Sequence, residues 1–344
     1  MSNAHPTQDL TRLLVVILNY RTAQLTIDCL QSLVLEIQAL PGAQIIVADN
    51  DSQDGSVEQI AAAIASEGWN KWVSLRPLSS NGGFAMGNNS VIRLAIQSPL
   101  PPKYFLLLNP DTVVHPGGLT ELVTFMDQHP EAGIAGSRLE NPDGSPQHSA
   151  FRFPSIFSEL DHGLHIGIVT ALLKKWEVAP PISEKICQTD WLSGASMIIR
   201  YEVFAAVGLL DEHYFMYYEE LDFCLQAHKS GWSCWYVPQS RVIHLVGQSS
   251  GFNTPKRRPQ YWFDSRRRYF LKNHGWLYTA VADATWMVSF MIRRLREIFQ
   301  RQSDTEPPYL LNDFWANSVF VKRSAIQIFH NRIDVPPSSR GPIT

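Results

Sequence analysis

The run Leu13-Leu14-Val15-Val16-Ile17-Leu18, closed by Asn19-Tyr20, decides the fold. An unbroken apolar stretch leaves no face for water, so it reads as a parallel strand buried on both sides and polar only where it leaves the sheet. A helical pattern follows through Leu25, Cys29, Leu30 and Leu33. A second apolar run, Ile45 to Ala48, stops at Asp49-Asn50-Asp51-Ser52-Gln53-Asp54-Gly55-Ser56. The amphipathic stretch Val57 to Ala65 predicts the next helix, with Ser56 as its N-cap and Gln59 three residues on. Val73 to Leu75 is a weaker strand, Asn88 to Ile96 a helix, and Tyr104 to Leu108 another buried strand. This alternation implies right-handed crossovers and a mostly parallel sheet with helices on both faces. Ligands of such sheets bind where the strands end, and here those ends are polar.

The second half is less regular. Pro142 to Pro154 reads as loop or short hairpin, Trp191 to Arg200 as a strand, and Tyr201 to Val207 as a helix. Glu219 to Gly231 is a strong helix, followed by strands at Cys234 to Val237 and Arg241 to His244. After Gly275 comes a helix with an apolar face, then a polar, proline-containing tail. The implied organisation is an N-terminal segment (1–11), one domain (12–272) and a C-terminal helical extension (273–344). The domain divides into a nucleotide-binding type of α/β half (12–115) and a less regular half (116–272).

Composition excludes some classes. The 344 residues carry a formal net charge of -3, which argues against a general nucleic-acid binder. Cys29, Cys187, Cys224 and Cys234 form no C-x-x-C pair, so neither a disulfide framework nor a zinc site is expected. The first eleven residues lack a signal-peptide pattern, and a cytoplasmic protein is expected, peripheral to the inner face of the membrane at most. Asn81-Gly82-Gly83-Phe84 lacks G-x-G-x-x-G spacing and follows a late strand, which argues against a Rossmann dehydrogenase.

Four motifs in consistent order resemble the inverting family 2 glycosyltransferases of GT-A fold, particularly the rhamnosyltransferase-like branch. They are VVILNY (Val15 to Tyr20), VADNDSQDGS (Val47 to Ser56), LLLNPDT (Leu106 to Thr112), and a block from Trp191 through FMYYEELDFC (Phe215 to Cys224) to VIHLVGQSSG (Val242 to Gly251). The resemblance spans Leu13 to Lys272. It implies a nucleoside-diphosphate sugar as donor and a hydroxyl of a glycan or lipid-linked glycan as acceptor. It places Asn19, Tyr20, Asp49, Asn50, Asn81 and Gly83 beside the nucleotide. A strand end capped by polar residues is the plainer reading of Asn19 and Tyr20.

The same resemblance makes Asn109-Pro110-Asp111 the counterpart of a D-x-D motif. A hard divalent cation, Mg²⁺ or Mn²⁺, would bridge the donor phosphates there, with Asp111 the carboxylate ligand, Asn109 an amide or water-mediated one, and His244 a third. Glu220 stands where the family uses aspartate as general base. Adjacent acids point about 100° apart on a helix, so Glu219 and Glu220 cannot share that job. Trp191, Gly194, Ala195, Glu219 and Asp222 match positions lining the sugar and acceptor. Asp190, the turn Asp143-Gly144-Ser145 and Arg152 are secondary matches.

The basic, aromatic segment Lys256 to Lys272 reads either as a solvated helix or as arginines, Arg266 among them, holding a lipid-linked diphosphate. Trp276 to Ile292 is too interrupted to span a membrane. It suits an interfacial helix, or a core or dimer helix. Outside catalysis, a silent nucleotide-sugar-binding protein and a sugar nucleotidyltransferase are the alternatives. The latter should carry a basic Gly-rich loop after the first strand, and Leu18 to Leu25 has only Arg21.

Overall fold

The computed structural model describes residues 12–245, 257–300 and 306–322. The first half runs β1 (Leu13–Asn19), α1 (Ala23–Ala39), β2 (Gln44–Asp49), α2 (Ser56–Ser66), β3 (Val73–Pro77), α3 (Gly83–Ile96) and β4 (Tyr104–Leu108). It continues with β5 (Thr112–Val114), α4 (Gly118–Gln128), β6 (Ala132–Glu140), β7 (Pro146–Gln147), β8 (Ala150–Phe151), α5 (Ile156–Leu164) and α6 (Gly167–Leu172). Then follow β9 (Cys187–Thr189), β10 (Trp191–Leu192), β11 (Ser196–Arg200), α7 (Tyr201–Val207) and α8 (Glu219–Lys229). β12 (Ser233–His244), α9 (Gln260–Phe299) and α10 (Leu310–Asn317) complete the described chain.

The main sheet has the order β3-β2-β1-β4-β11-β6-β12-β5. β1 pairs in parallel with both β2 and β4, so its apolar run is central, as its composition requires. β11 is inserted antiparallel between β4 and β6, while β6 and β12 are again parallel. Alternate side chains of each strand feed two cores. Val15, Ile17 and Leu106 meet Leu30, Leu33, Ile60 and Leu122 of α1, α2 and α4 on one face. Val16, Leu107 and Ile199 meet Val91, Ile92, Phe204 and Phe223 of α3, α7 and α8 on the other.

Several boundaries depart from the sequence expectation. Ser56 lies inside α2 instead of capping it. Gly55 takes the cap in a left-handed conformation, and Asp54 Oδ1 accepts from Ser56 N at 3.1 Å. α3 starts at Gly83, earlier than its periodicity suggests. The stretch Trp191 to Arg200 is two strands, broken at 193–195. The two strands expected between Cys234 and His244 are one, with a register shift between Val237 and Arg241. β6 had no sequence signal because it is built of small residues. A Cβ added at Gly136 would sit 2.8 Å from Leu192 Cδ2, so β10 can lie across the strand only because that side chain is missing. α9 begins at Gln260, well before Gly275, which kinks it with φ 80° and ψ 174°.

Candidate active site

The ends of β1, β2 and β3 meet the start of α3. Asn19 Nδ2 donates to Asp49 Oδ2 at 2.6 Å, and Asn19 Oδ1 accepts from Thr22 and Thr26. Asp49 is 1% exposed, and its carboxylate also takes Ser52 Oγ at 2.7 Å and Ser52 N at 3.0 Å. Both side chains hold the strand ends and the following turn. Asn50 donates from Nδ2 to Asn81 Oδ1 at 2.8 Å, and its buried Oδ1 has no partner. Asn81 Oδ1 also accepts from Gly83 N at 3.0 Å. Gly83 has φ 84°, and an added Cβ would lie 1.9 Å from Phe215 O. Phe84 N donates to that carbonyl at 2.8 Å, stitching the nucleotide-side loops to the segment before α8. Tyr20 is the exposed ring at this mouth, with the Arg21 guanidinium 5.1 Å from its centroid.

Between β4 and β5 the chain turns through Asn109-Pro110-Asp111. Asn109 N donates to Ala195 O at 3.0 Å, and Thr112 Oγ1 donates back to Asn109 O at 2.7 Å. Asp111 is 1% exposed, with Oδ1 3.4 Å from His244 Nε2. The antiparallel pairing of β5 with β12, with Thr112 opposite His244, brings these residues together from distant parts of the chain. Gln147, which carries no sequence signal of its own, places Oε1 at 3.3 Å from His244 Nδ1 and donates from Nε2 to His244 O. Gln147 thereby fixes the orientation of the His244 ring, with Nε2 turned toward Asp111. Among the described residues no group of three or more His, Cys, Asp or Glu converges, and Asp111 and His244 are the pair that meets there.

The third element is the start of α8. Tyr217 and Tyr218 take φ 69° and 70°, two successive bulky residues in left-handed geometry, which stores strain beside the acids that follow. They are held by rings of α9, Tyr261 against Tyr217 at 6.0 Å and Tyr269 against Tyr218 at 5.7 Å. Glu219 Oε2 and Glu220 Oε2 are buried without a hydrogen-bond partner. Burial pushes the Glu220 carboxyl up, moderated by backbone N–H groups including that of Gly194. Burial and the neighbouring Glu220 charge push Glu219 up as well, well above the usual range. Gly194 lies against Phe84, where a Cβ would come within 3.0 Å of Cζ.

Other expected contacts are structural. Asp222 is buried and bonded to Lys272 Nζ at 2.5 Å and Asn273 Nδ2 at 2.7 Å, so it faces α9 instead of an acceptor. Arg266 is buried, with Asp283 at 2.6 Å and Glu159 at 2.7 Å, and cannot reach a lipid-linked diphosphate. Arg268 pairs with Asp211, and Arg267 with Asp264. Arg266, Arg268 and Lys272 thus fasten α9 to the domain and are not free for phosphate, whereas Arg257 is exposed and pairs with Asp313 of α10. Lys256, and the end of the last motif beyond Leu245, lie outside the described residues. Trp191 is half-buried, stacked on Phe151 at 4.3 Å, and donates from Nε1 to Arg152 O. Ala195 is buried. Asp190 accepts from Phe153 N, Asp143 from Ser145 N in its own turn, and Arg152 Nη1 donates to Lys174 O.

Comparisons with known proteins bear on the family and the fold. The description "Glycosyl transferase family 2" matches residues 14–168, and "Glycosyl transferase family group 2" matches residues 104–300. The chain is 29% identical over 221 residues to the N-acetylglucosaminyl-diphospho-decaprenol L-rhamnosyltransferase of Mycobacterium tuberculosis, covering 60% of this chain and 68% of that one. It is 28% identical over 173 residues to the rhamnosyltransferase WbbL of Escherichia coli, covering 48% and 63%. Among solved structures, residues 1–349 of Staphylococcus aureus TarS with UDP-GlcNAc superpose with a TM-score of 0.50 at 14% identity. That match covers 89% of this chain and 81% of that one, a likeness of fold.

Proposed function

The chain belongs to glycosyl transferase family group 2, in the rhamnosyltransferase-like branch, and from that premise we propose an inverting, metal-assisted transfer with Glu220 as general base. It is a glycosyltransferase that uses a nucleotide sugar, which sets aside the silent binder and the nucleotidyltransferase. The observation that carries the finer reading is the pair of strand-end ligands, Asp111 and His244 at 3.4 Å, in the same fold as the unpartnered Glu220 Oε2.

In the proposed reaction Glu220 takes the proton of the acceptor hydroxyl as its oxygen bonds to the anomeric carbon. The bond from that carbon to the phosphate oxygen breaks on the opposite face, and the nucleoside diphosphate leaves with its electron pair. A base must be ionised before it can act, and one with a raised pKa is more avid for the proton. Burial pushes both acids up and two adjacent carboxylates resist ionising together, so the pair loses its protons in two steps, and we assign the ionised, base role to Glu220. Gly194 N–H orients the Glu220 carboxylate, and Gly194, lacking a side chain, lets the acceptor approach.

One carboxylate oxygen, one imidazole nitrogen and an amide suit a Mg²⁺ or Mn²⁺ ion that completes its shell with phosphate oxygens and water. Asp111, His244 and Asn109 would hold it, and when bound it supplies positive charge against the departing diphosphate. The exposed Tyr20 ring and the Asn50–Asn81–Gly83 corner are the proposed nucleotide contacts, with Asn50 Oδ1 the unmet acceptor. We carry over a lipid-linked diphosphate saccharide as acceptor from the mycobacterial relative's name, and dTDP-rhamnose as the first donor to try from the name of the dTDP-rhamnosyl transferase RfbF of Shigella flexneri.

The test incubates purified protein with a panel of nucleoside-diphosphate sugars, divalent metal and a polyprenyl-diphosphate saccharide. Metal-dependent release of nucleoside diphosphate with at least one donor is expected. Release with none would end the proposal.

A further inference from the structure

The second half of α9 is built inside out. Beyond the Gly275 kink, every exposed side chain from Trp276 to Phe299 is apolar, while the charged Asp283 and Arg293 are buried. Leu277, Val281, Val288, Met291, Leu295 and Ile298 follow one another at helical intervals along one outward stripe, with Leu277 72% and Ile298 67% exposed. At ~1.5 Å per residue the stripe is about 32 Å long. It is not the leftover of an unfinished core. The inward face is complete, with Trp286, Met287 and Phe290 packed on Leu310 and Phe314 of α10, and Asp283 holding Arg266 and Val319 N. A soluble surface helix normally shows water its polar residues, and a continuous apolar face of this length marks an interaction surface.

The neighbouring chemistry names the partner. Arg296 Nη2 donates to Leu164 O and His165 O, so α6 starts beside the last turns of α9. α6 exposes Ile168 and Leu172, the latter 78%, and is followed by the exposed Lys174 and Lys175. Lys175 Nζ sits 4.0 Å over the Trp176 ring. No acidic side chain is exposed between Trp276 and Phe299. Among the described residues no helix is long and apolar enough to cross a membrane. An aliphatic stripe with tryptophan at one end, together with exposed aliphatics and lysines on the segment that starts just past His165, is the composition of a surface lying in a headgroup layer of negative charge.

We propose that the outward stripe of α9, flanked by Ile168 and Leu172 of α6, docks onto an anionic lipid surface. The proposal is independent of donor, metal and base. It also orients the site, because the upstream half of the same helix carries Lys272 and Asn273, which grip Asp222 of α8 two residues past Glu220.

The experiment is cosedimentation of the full chain with vesicles of phosphatidylcholine alone or with phosphatidylglycerol. Wild type is compared with Val288→Glu/Leu295→Glu and with Lys174→Glu/Lys175→Glu. Both pairs are exposed, so melting temperature and nucleoside-diphosphate release with a water-soluble acceptor should stay unchanged. Wild type should pellet with the phosphatidylglycerol vesicles. The glutamate pair on α9 should weaken that at least tenfold, and the lysine reversals should remove the preference for anionic lipid. Wild type left in the supernatant with every composition, or equal pelleting of the α9 variant, overturns the proposal. So does a wild-type dimer that ignores vesicles and is dissociated by the α9 substitutions, since a second copy would then cover the stripe.

Discussion

Two pairs of acids sit at the start of α8 and the loop before it, and they live in opposite surroundings. Asp211 and Asp222 are buried, but Lys272 bridges both, with Arg268 and Asn273 completing the set. Burial would push Asp211 up, and Lys272 and Arg268 more than reverse it, holding its carboxyl well below the usual range. Glu219 and Glu220 are pushed up instead, and no cation pairs with them among the described residues. Composition does not separate the two pairs; their partners do. The paired acids fasten α8 to α9, and that anchorage lets the other two be held with unmet oxygens beside strained tyrosines.

The contrast can be broken at either pair. Glu220→Gln should lower turnover by ~10²–10⁴-fold while donor affinity measured by calorimetry stays unchanged. Full turnover would move the base elsewhere. Asp111→Asn should raise the metal concentration needed for half-maximal rate at least tenfold, read from a Mn²⁺ titration. On the structural side, Lys272→Met leaves buried carboxylates short of a cation. It should cost about 3 kcal/mol in denaturant titrations, with the donor still bound by the surviving folded protein.

Acidification sharpens the same comparison. Asp211 has a depressed folded-state pKa, so its stabilisation is present above its unfolded value, ~3.9, and is lost as pH falls. Wild type should destabilise on acidification more steeply than Asp211→Asn. Glu219 has the opposite sign. Its folded pKa is raised, so its contribution is fully present below the unfolded value, ~4.3, and is lost as pH rises through the folded one. Glu219→Gln should therefore raise the melting temperature at pH 7.5 by ~2 °C, the smallest effect, and the gain should fade toward pH 4.

The half of the fold built on β1, β2 and β4 was legible because those strands are buried on both faces and spell it in unbroken aliphatic runs. β6 and the β10 crossing were not, because their signal is a missing side chain at Gly136 that matters only once Leu192 lies over it. The site divides the same way. Asp111, His244 and Glu220 could be singled out only through the family resemblance, since a polar strand or helix end is commonplace, and the fold brings Asp111 and His244 face to face. What Asp49, Asp222 and Arg266 bond to is set by folding. Arg266 reads as a phosphate ligand until Glu159 and Asp283 arrive from other helices, and Gln147 has no meaning until His244 is beside it.

The central claim, that Glu220 takes the acceptor proton in an inverting displacement, is met most directly by supplying a nucleophile with no proton to lose. Glu220→Ala should be nearly inactive with the hydroxyl acceptor. With sodium azide it should form a glycosyl azide whose anomeric configuration is opposite to that of the donor sugar. No rescue by azide while the donor still binds, or an azide product that keeps the donor's configuration, would contradict the account.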